Sequence, residues 1–203
     1  LSNIVAQSTL QYTTNIGEAQ NVDVLGGFEY QREVFQEVGT EVRDFVADAL
    51  EFNNLGSGTN VQPSNSAKQE VRLLSFFGRV NYNLQDTYLL TATLRRDGSS
   101  VFGENERFAW FPSASAAWRI TNESFMQNVD WLSELKLRVS YGLAGNQAVP
   151  PYRALATLSP SSGNKVPYGS GNDVIGVAPS RAASPDLKWE QTAEFNVGLD
   201  FLA

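Results

Sequence analysis

Apolar and polar residues alternate one by one along Ile4–Thr14, Val22–Gln31, Leu74–Tyr82, Tyr88–Arg95, Trp110–Ile120, Leu135–Leu143 and Glu190–Phe201. A repeat of two is the mark of a β-strand whose faces meet different surroundings, and it excludes amphipathic helices over the same stretches. Strands of soluble proteins run about five to six residues. A strand that crosses the hydrocarbon of a bilayer needs about nine to eleven. The stretches here match the second length, so this spacing predicts transmembrane β-strands.

The two faces differ sharply in charge. One face carries Ile4, Leu10 and Tyr12, then Val24, Phe28 and Tyr30, then Phe76, Val80 and Tyr82. It continues with Leu90 and Leu94, Trp110 and Trp118, Val139 and Tyr141, and Phe195 to Phe201. No residue of that face within the seven stretches is charged. The opposite face carries Asp23, Glu29, Arg79, Arg95, Arg119, Lys136, Arg138, Glu190, Glu194 and Asp200. Two architectures produce such a pattern. In a soluble sandwich the apolar faces meet in a core and the charged faces meet water. In an outer-membrane barrel the apolar face meets lipid and the polar face lines the lumen. Tyr82 and Tyr88 flank the short connection Asn83–Thr87 on the apolar face, and Tyr12 and Trp118 also sit near strand ends, as an interfacial girdle requires.

The connections alternate as well. Asn15–Asn21 and Asn83–Thr87 are short, whereas Arg32–Leu73, Arg96–Ala109 and Asn146–Lys188 are long. Short turns on one side and long loops on the other are the layout of a bacterial barrel. Strands one, three, five and seven then run down and strands two, four and six run up. Val46, Ala49 and Leu50 at helical spacing predict a short surface helix over Arg43–Phe52, and another is expected around Phe125–Leu132. Asn53–Ser66 and Ser159–Asn172 read as polar loops.

Composition removes several chemistries. The chain of 203 residues has no Cys and no His, which excludes disulfides, thiol nucleophiles, a Ser-His-Asp triad and His-based metal centres. Fifteen basic against 22 acidic residues leave a net charge of −7, unsuited to nucleic acid. There is no long apolar run for a transmembrane helix and no signal-peptide pattern. The chain begins at Leu1 and its one Met is Met126, so it is expected to be part of a longer protein. Ser133-x-x-Lys136 matches a penicillin-binding pattern by chance, since Lys136 opens a strand rather than sitting on a helix. Asn122-Glu123-Ser124 is a glycosylation triplet without meaning on the inner side of a bacterial membrane. Glu104, Glu106 and Asp173 lack calcium-loop spacing, and Gly169-Ser170-Gly171 follows no strand that leads into a helix. No cofactor and no enzymatic activity are expected.

Five ordered motifs carry a resemblance. They are Phe76-Phe77-Gly78-Arg79-Val80-Asn81-Tyr82-Asn83 with Tyr88 to Ser100; Phe111-Pro112-Ser113-Ala114-Ser115-Ala116-Ala117-Trp118-Arg119-Ile120; Leu135-Lys136-Leu137-Arg138-Val139-Ser140-Tyr141-Gly142; Gly145-Asn146-Gln147; and Pro185-Asp186-Leu187-Lys188-Trp189-Glu190. Together these resemble the barrel of SusC/RagA-type TonB-dependent outer-membrane transporters, densely from Leu73 to Phe201 and more loosely before. The resemblance implies an all-β, antiparallel transmembrane barrel, of which residues 1–203 supply about seven strands from a total of about 22. It also implies a plug domain and a TonB box outside this chain, a SusD-like surface lipoprotein as partner, coupling to the TonB complex, and oligosaccharides or peptides as substrates. Alternatives are a siderophore or cobalamin receptor of the wider TonB-dependent group, or a soluble β-sandwich binding module.

The candidate substrate-binding residues are Arg95, Arg96, Asp97 and Asn146. The first three sit in Arg95-Arg96-Asp97-Gly98-Ser99-Ser100, where an upward strand meets an external loop. They either face a ligand or shape a turn, since Asp-Gly favours a reversal and Asp97 can pair with an Arg. Asn146 ends the next upward strand at the same level. It either hydrogen-bonds a sugar hydroxyl or peptide amide, or shapes the loop exit with Gly145. Trp189 could offer a sugar platform, but its face suits a girdle or loop-packing role better.

Overall fold

The computed structural model describes residues 1–47, 49, 53–169 and 172–202. Its strands are β1 (Ser2–Ile16), β2 (Gln20–Gly39), β3 (Val42–Phe45), β4 (Gly58–Val61), β5 (Asn65–Leu84), β6 (Tyr88–Ser99), β7 (Phe108–Arg119), β8 (Glu134–Asn146), β9 (Thr157–Tyr168), β10 (Asn172–Arg181) and β11 (Glu190–Leu202). Seven of them form one antiparallel sheet in the order β1-β2-β5-β6-β7-β8-β11. These are the seven alternating stretches, each extended at one or both ends. β3 with β4 and β9 with β10 are separate hairpins in the connections.

The register keeps the two faces apart from edge to edge. Tyr12, Val24, Val80, Ala92, Ala114, Tyr141 and Phe195 stand in one row, paired strand to strand. A slip of one residue in β2, β5, β6, β7, β8 or β11 would carry charge onto this face. Large apolar side chains of the row and its neighbours stay exposed, among them Leu10 at 79% and Phe195 at 67%. An exposed apolar sheet of this extent is not the surface of a soluble monomer. No second layer covers it among the described residues, so the sandwich arrangement is not the one adopted. The sheet is an open sector of a β-barrel, ending at β1 and β11.

Several connections are shorter than the sequence suggests, because strands run on past the alternation. β2 and β5 are 20 residues each and pair with one another as far as Gly39 and Asn65. The expected helix over Arg43–Phe52 begins inside β3, whose backbone is extended, and residues 48 and 50–52 lie outside the described ones. Around Phe125–Leu132 there is a 3-10 turn over Ser124–Met126, preceded by another over Ile120–Asn122. The stretch expected to be a polar loop over Ser159–Asn172 lies largely in β9, and Asn53–Ser66 contains β4. Polar Ser/Gly-rich composition hid both, since a solvated hairpin buries no apolar face for alternation to mark.

The buried core is small and lies at the upper end, opposite the tight turns. It consists of Val101, Phe102, Phe111 and Trp189, with Leu73, Val149 and Leu187 packed around it. Phe102 and Phe111 pack on Trp189 with ring centroids 4.8 and 5.4 Å away. The Trp189 indole N–H donates to the Arg107 carbonyl at 2.9 Å, and the Gly103 N–H donates to the Leu187 carbonyl at 2.9 Å. Thus the β6–β7 loop is tied to the segment that leads into β11. Trp189 has the loop-packing role.

Candidate ligand-lining face

The polar face is the one on which binding chemistry can be built. Its middle row holds Thr13, Asp23, Asn81, Thr91, Ser115, Ser140 and Asn196. On the β1–β6 side these groups satisfy one another. Thr13 and Gln11 donate to Asp23 at 2.7 and 2.6 Å, Asn81 donates to Asp23 at 3.0 Å, and Thr91 donates to Asn81 at 2.9 Å. On the β7–β11 side, Ser115, Ser140 and Asn196 line a hollow with Thr91, bounded by Arg138 and Glu194. These hydroxyls and the amide suit a neutral polar ligand, because each can both donate and accept. Individually they carry no sequence signal. Only the register, which places four strands' small polar residues in line, reveals them.

Five charged groups of this face form ion pairs with one another. Asp200 accepts from Lys136 at 3.0 Å and from Arg138 at 2.7 Å. Higher on the face, Arg95 Nε donates to both oxygens of Asp97 at 2.7 and 2.8 Å, and its Nη2 donates to Ser75 at 2.9 Å. The Arg95 guanidinium also lies 5.6 Å from the Phe77 ring centroid. Arg95 and Asp97 are therefore one unit, held from both sides. Arg96 is not part of it. Alternation turns Arg96 to the apolar face, opposite Phe76 and Trp110.

Asn146 reaches the polar face at the end of β8. Its amide N–H donates to Glu190 at 3.1 Å, and its oxygen accepts the Ala148 N–H at 2.9 Å. Both ends of the amide are thus engaged in shaping the loop exit. The ladder between β7 and β8 stops at Ser113 and Gly142. Above that point the Phe111 ring occupies the space where a Cβ on Gly145 would stand. Phe111 and Trp189 accordingly separate the Arg95–Asp97 unit from the Asn146–Glu190 pair. Beside them, Gln147 Oε1 is buried and has no hydrogen-bond partner among the described residues.

At the lower end, one carboxylate ties two rings of the apolar face. Tyr88 Oη donates to Glu123 at 2.6 Å and Trp118 Nε1 donates to it at 2.9 Å, with the rings stacked at 6.4 Å. The hydrogen bond from Tyr88 and then that from Trp118 hold the Glu123 carboxyl below its ordinary pKa.

Residues 2–203 match the family described as TonB dependent receptor-like, beta-barrel. The chain is 38% identical over 198 residues to TonB-dependent receptor P26 of Formosa agariphila, covering 96% of this chain and 19% of that protein. It is 40% identical over 129 residues to TonB-dependent receptor SusC of Bacteroides thetaiotaomicron, covering 64% of this chain and 13% of that protein. Among solved structures, the RagAB peptide transporter superposes with a TM-score of 0.85 at 32% identity, over 97% of this chain and 21% of that one. The chain therefore spans about a fifth of the length of such relatives.

Proposed function

Because the chain belongs to the TonB-dependent receptor β-barrel family, we propose that the whole protein is a bacterial outer-membrane importer that takes up a bulky nutrient, an oligosaccharide or a peptide. In this reading TonB supplies the energy, and a SusD-like surface lipoprotein covers the barrel. The sector described above contributes wall, lumen lining and external loops, and does no covalent chemistry. The observation that supports this best is the division of the faces: an exposed apolar band on one side, whose one charge is Arg96 at its upper edge, and hydroxyl, amide and charged groups on the other. A wall with that division meets lipid outside and an aqueous passage inside. Arg95, Asp97 and Asn146 remain the proposed ligand-facing groups of the upper lumen, acting through the pairs they already form. Arg96 falls outside that proposal because it stands on the lipid side.

The test is growth of a strain lacking the gene on matched oligosaccharides and peptides as sole nutrients, with and without the plasmid-borne full-length gene. Loss on one class, restored by the gene, is the expected result and identifies the substrate class. A defect confined to iron-chelate or cobalamin supply would replace this reading with the siderophore or cobalamin receptor.

A further inference from the structure

Arg96 is the one charged residue of the apolar face among the described strands that stands level with the Phe28, Phe76 and Trp110 rings, near the upper end of the apolar band. Register places it in the row of Ser8, Phe28, Phe76 and Trp110. It is eight residues above Tyr88 of the lower girdle, about 27 Å along the strand. Its guanidinium carbon lies 4.6 Å from the Phe108 ring centroid and 5.5 Å from that of Trp110. Rings attract the cation but accept none of its five N–H donors in plane. No carboxylate pairs with it among the described residues. The next arginines on this face, Arg32 and Arg72, stand two rows higher and share Glu70.

Directly below Arg96 the surface is hollow. Gly26 and Gly78 face one another across β2 and β5 on this same face. A methyl on either would meet no atom nearer than 3.8 Å, so crowding does not account for the glycines. What they do is remove side chains from the wall. At Gly78 the result is a hollow of about 340 Å³ lined by Phe76, Phe77, Gly78, Leu94, Trp110 and Arg96, with Gly27 rather than Gly26 on the β2 side. An unpaired cation at the head of an apolar trough is complementary to an amphiphile with an anionic head.

We propose that this is a binding site for one phosphate-bearing lipid of the outer leaflet, with its phosphate on Arg96 and an acyl chain in the trough at Gly78. The site rests on the reading of the apolar face as the lipid side. It is tested on the full-length protein in detergent micelles by native mass spectrometry. Dioleoylphosphatidic acid is offered beside dioleoylglycerol, which has the same chains without the phosphate. Retention of the first and not the second is expected, undiminished by an equal concentration of inorganic phosphate. Arg96→Gln is expected to lower retention about tenfold, the loss of one charge-assisted contact. Gly78→Leu, which fills the trough without touching the charge, is expected to lower it as well. Equal retention of both lipids, or retention unchanged in both variants, would overturn the site. Displacement by inorganic phosphate would also overturn it, because the acyl chain would then contribute nothing. Fractionation of the wild-type protein away from outer membranes would instead overturn the reading beneath it.

Discussion

A single indole connects the ends of two loops. Trp189 is 9% exposed, packs against Phe102 at a tilt and Phe111 edge-on, and reaches the Arg107 carbonyl through its N–H. Trp189→Ala leaves a cavity among these rings and an unmet carbonyl. It is expected to cost about 3 to 5 kcal/mol, read as a lower urea midpoint of the full-length protein in micelles and as faster trypsin cleavage at Arg107. A midpoint equal to wild type would mean that the cluster is not a joint. Glu70 makes a second residue-scale case. It lies on β5 above the girdle, where Arg32 and then Arg72 hold its carboxyl down to about 2 from 4.5. A pKa lowered in the folded state stabilises above the unfolded value, and that stabilisation is lost as pH falls through the folded value. Between pH 4.5 and 2 the wild type should therefore lose thermal stability that Glu70→Gln never had. Parallel melting temperatures of the two proteins across that window would contradict the assignment.

At the scale of strands and turns, the β5–β6 hairpin is strained. Gln85 and Asp86 hold φ of 55° and 52°, and the Thr87 N–H donates to the Leu84 carbonyl at 3.0 Å. Positive φ at both central residues is the geometry that Asn-Gly adopts without penalty. Replacing Gln85-Asp86 by Asn-Gly is expected to stabilise by about 1 kcal/mol, raising the temperature at which the heat-resistant band converts to the unfolded form. An unchanged conversion temperature would show that the Asn83–Asp86 side-chain bonds already offset the strain. The seven sheet strands, their faces and the short turns were legible in the sequence, because lipid on one side and water on the other impose alternation on every residue. β3, β4, β9 and β10 were not legible, because hairpins wet on both faces impose nothing of the kind. Arg95, Asp97 and Asn146 could be placed on the polar side by counting. Their partners could not, since Ser75 and Glu190 come from strands whose register is set by the whole sheet. Arg96 was grouped with its neighbours in sequence, although alternation sends adjacent side chains to opposite faces.

For the molecule as a whole, the decisive fact is that β1 and β11 each pair on one side only. Open edges and a bare apolar face are both routes to association. Residues 1–203 expressed alone are expected to sediment as aggregate in plain buffer and to partition into detergent. A dispersed, β-rich monomer in buffer would count heavily against the wall described here. The unequal connections also set a timetable. Chain closure costs only about 0.6 kcal/mol more for each doubling of loop length, but short loops meet their partners soonest. β1 with β2 and β5 with β6 are joined by a few residues, so each pair can zip within microseconds. β8 must wait for β11 across residues 147–189, a span that the β9–β10 hairpin first shortens by folding on itself. Among these seven strands the order of assembly is therefore expected to run from the tight turns upward, with β11, led in by Trp189, the last to join.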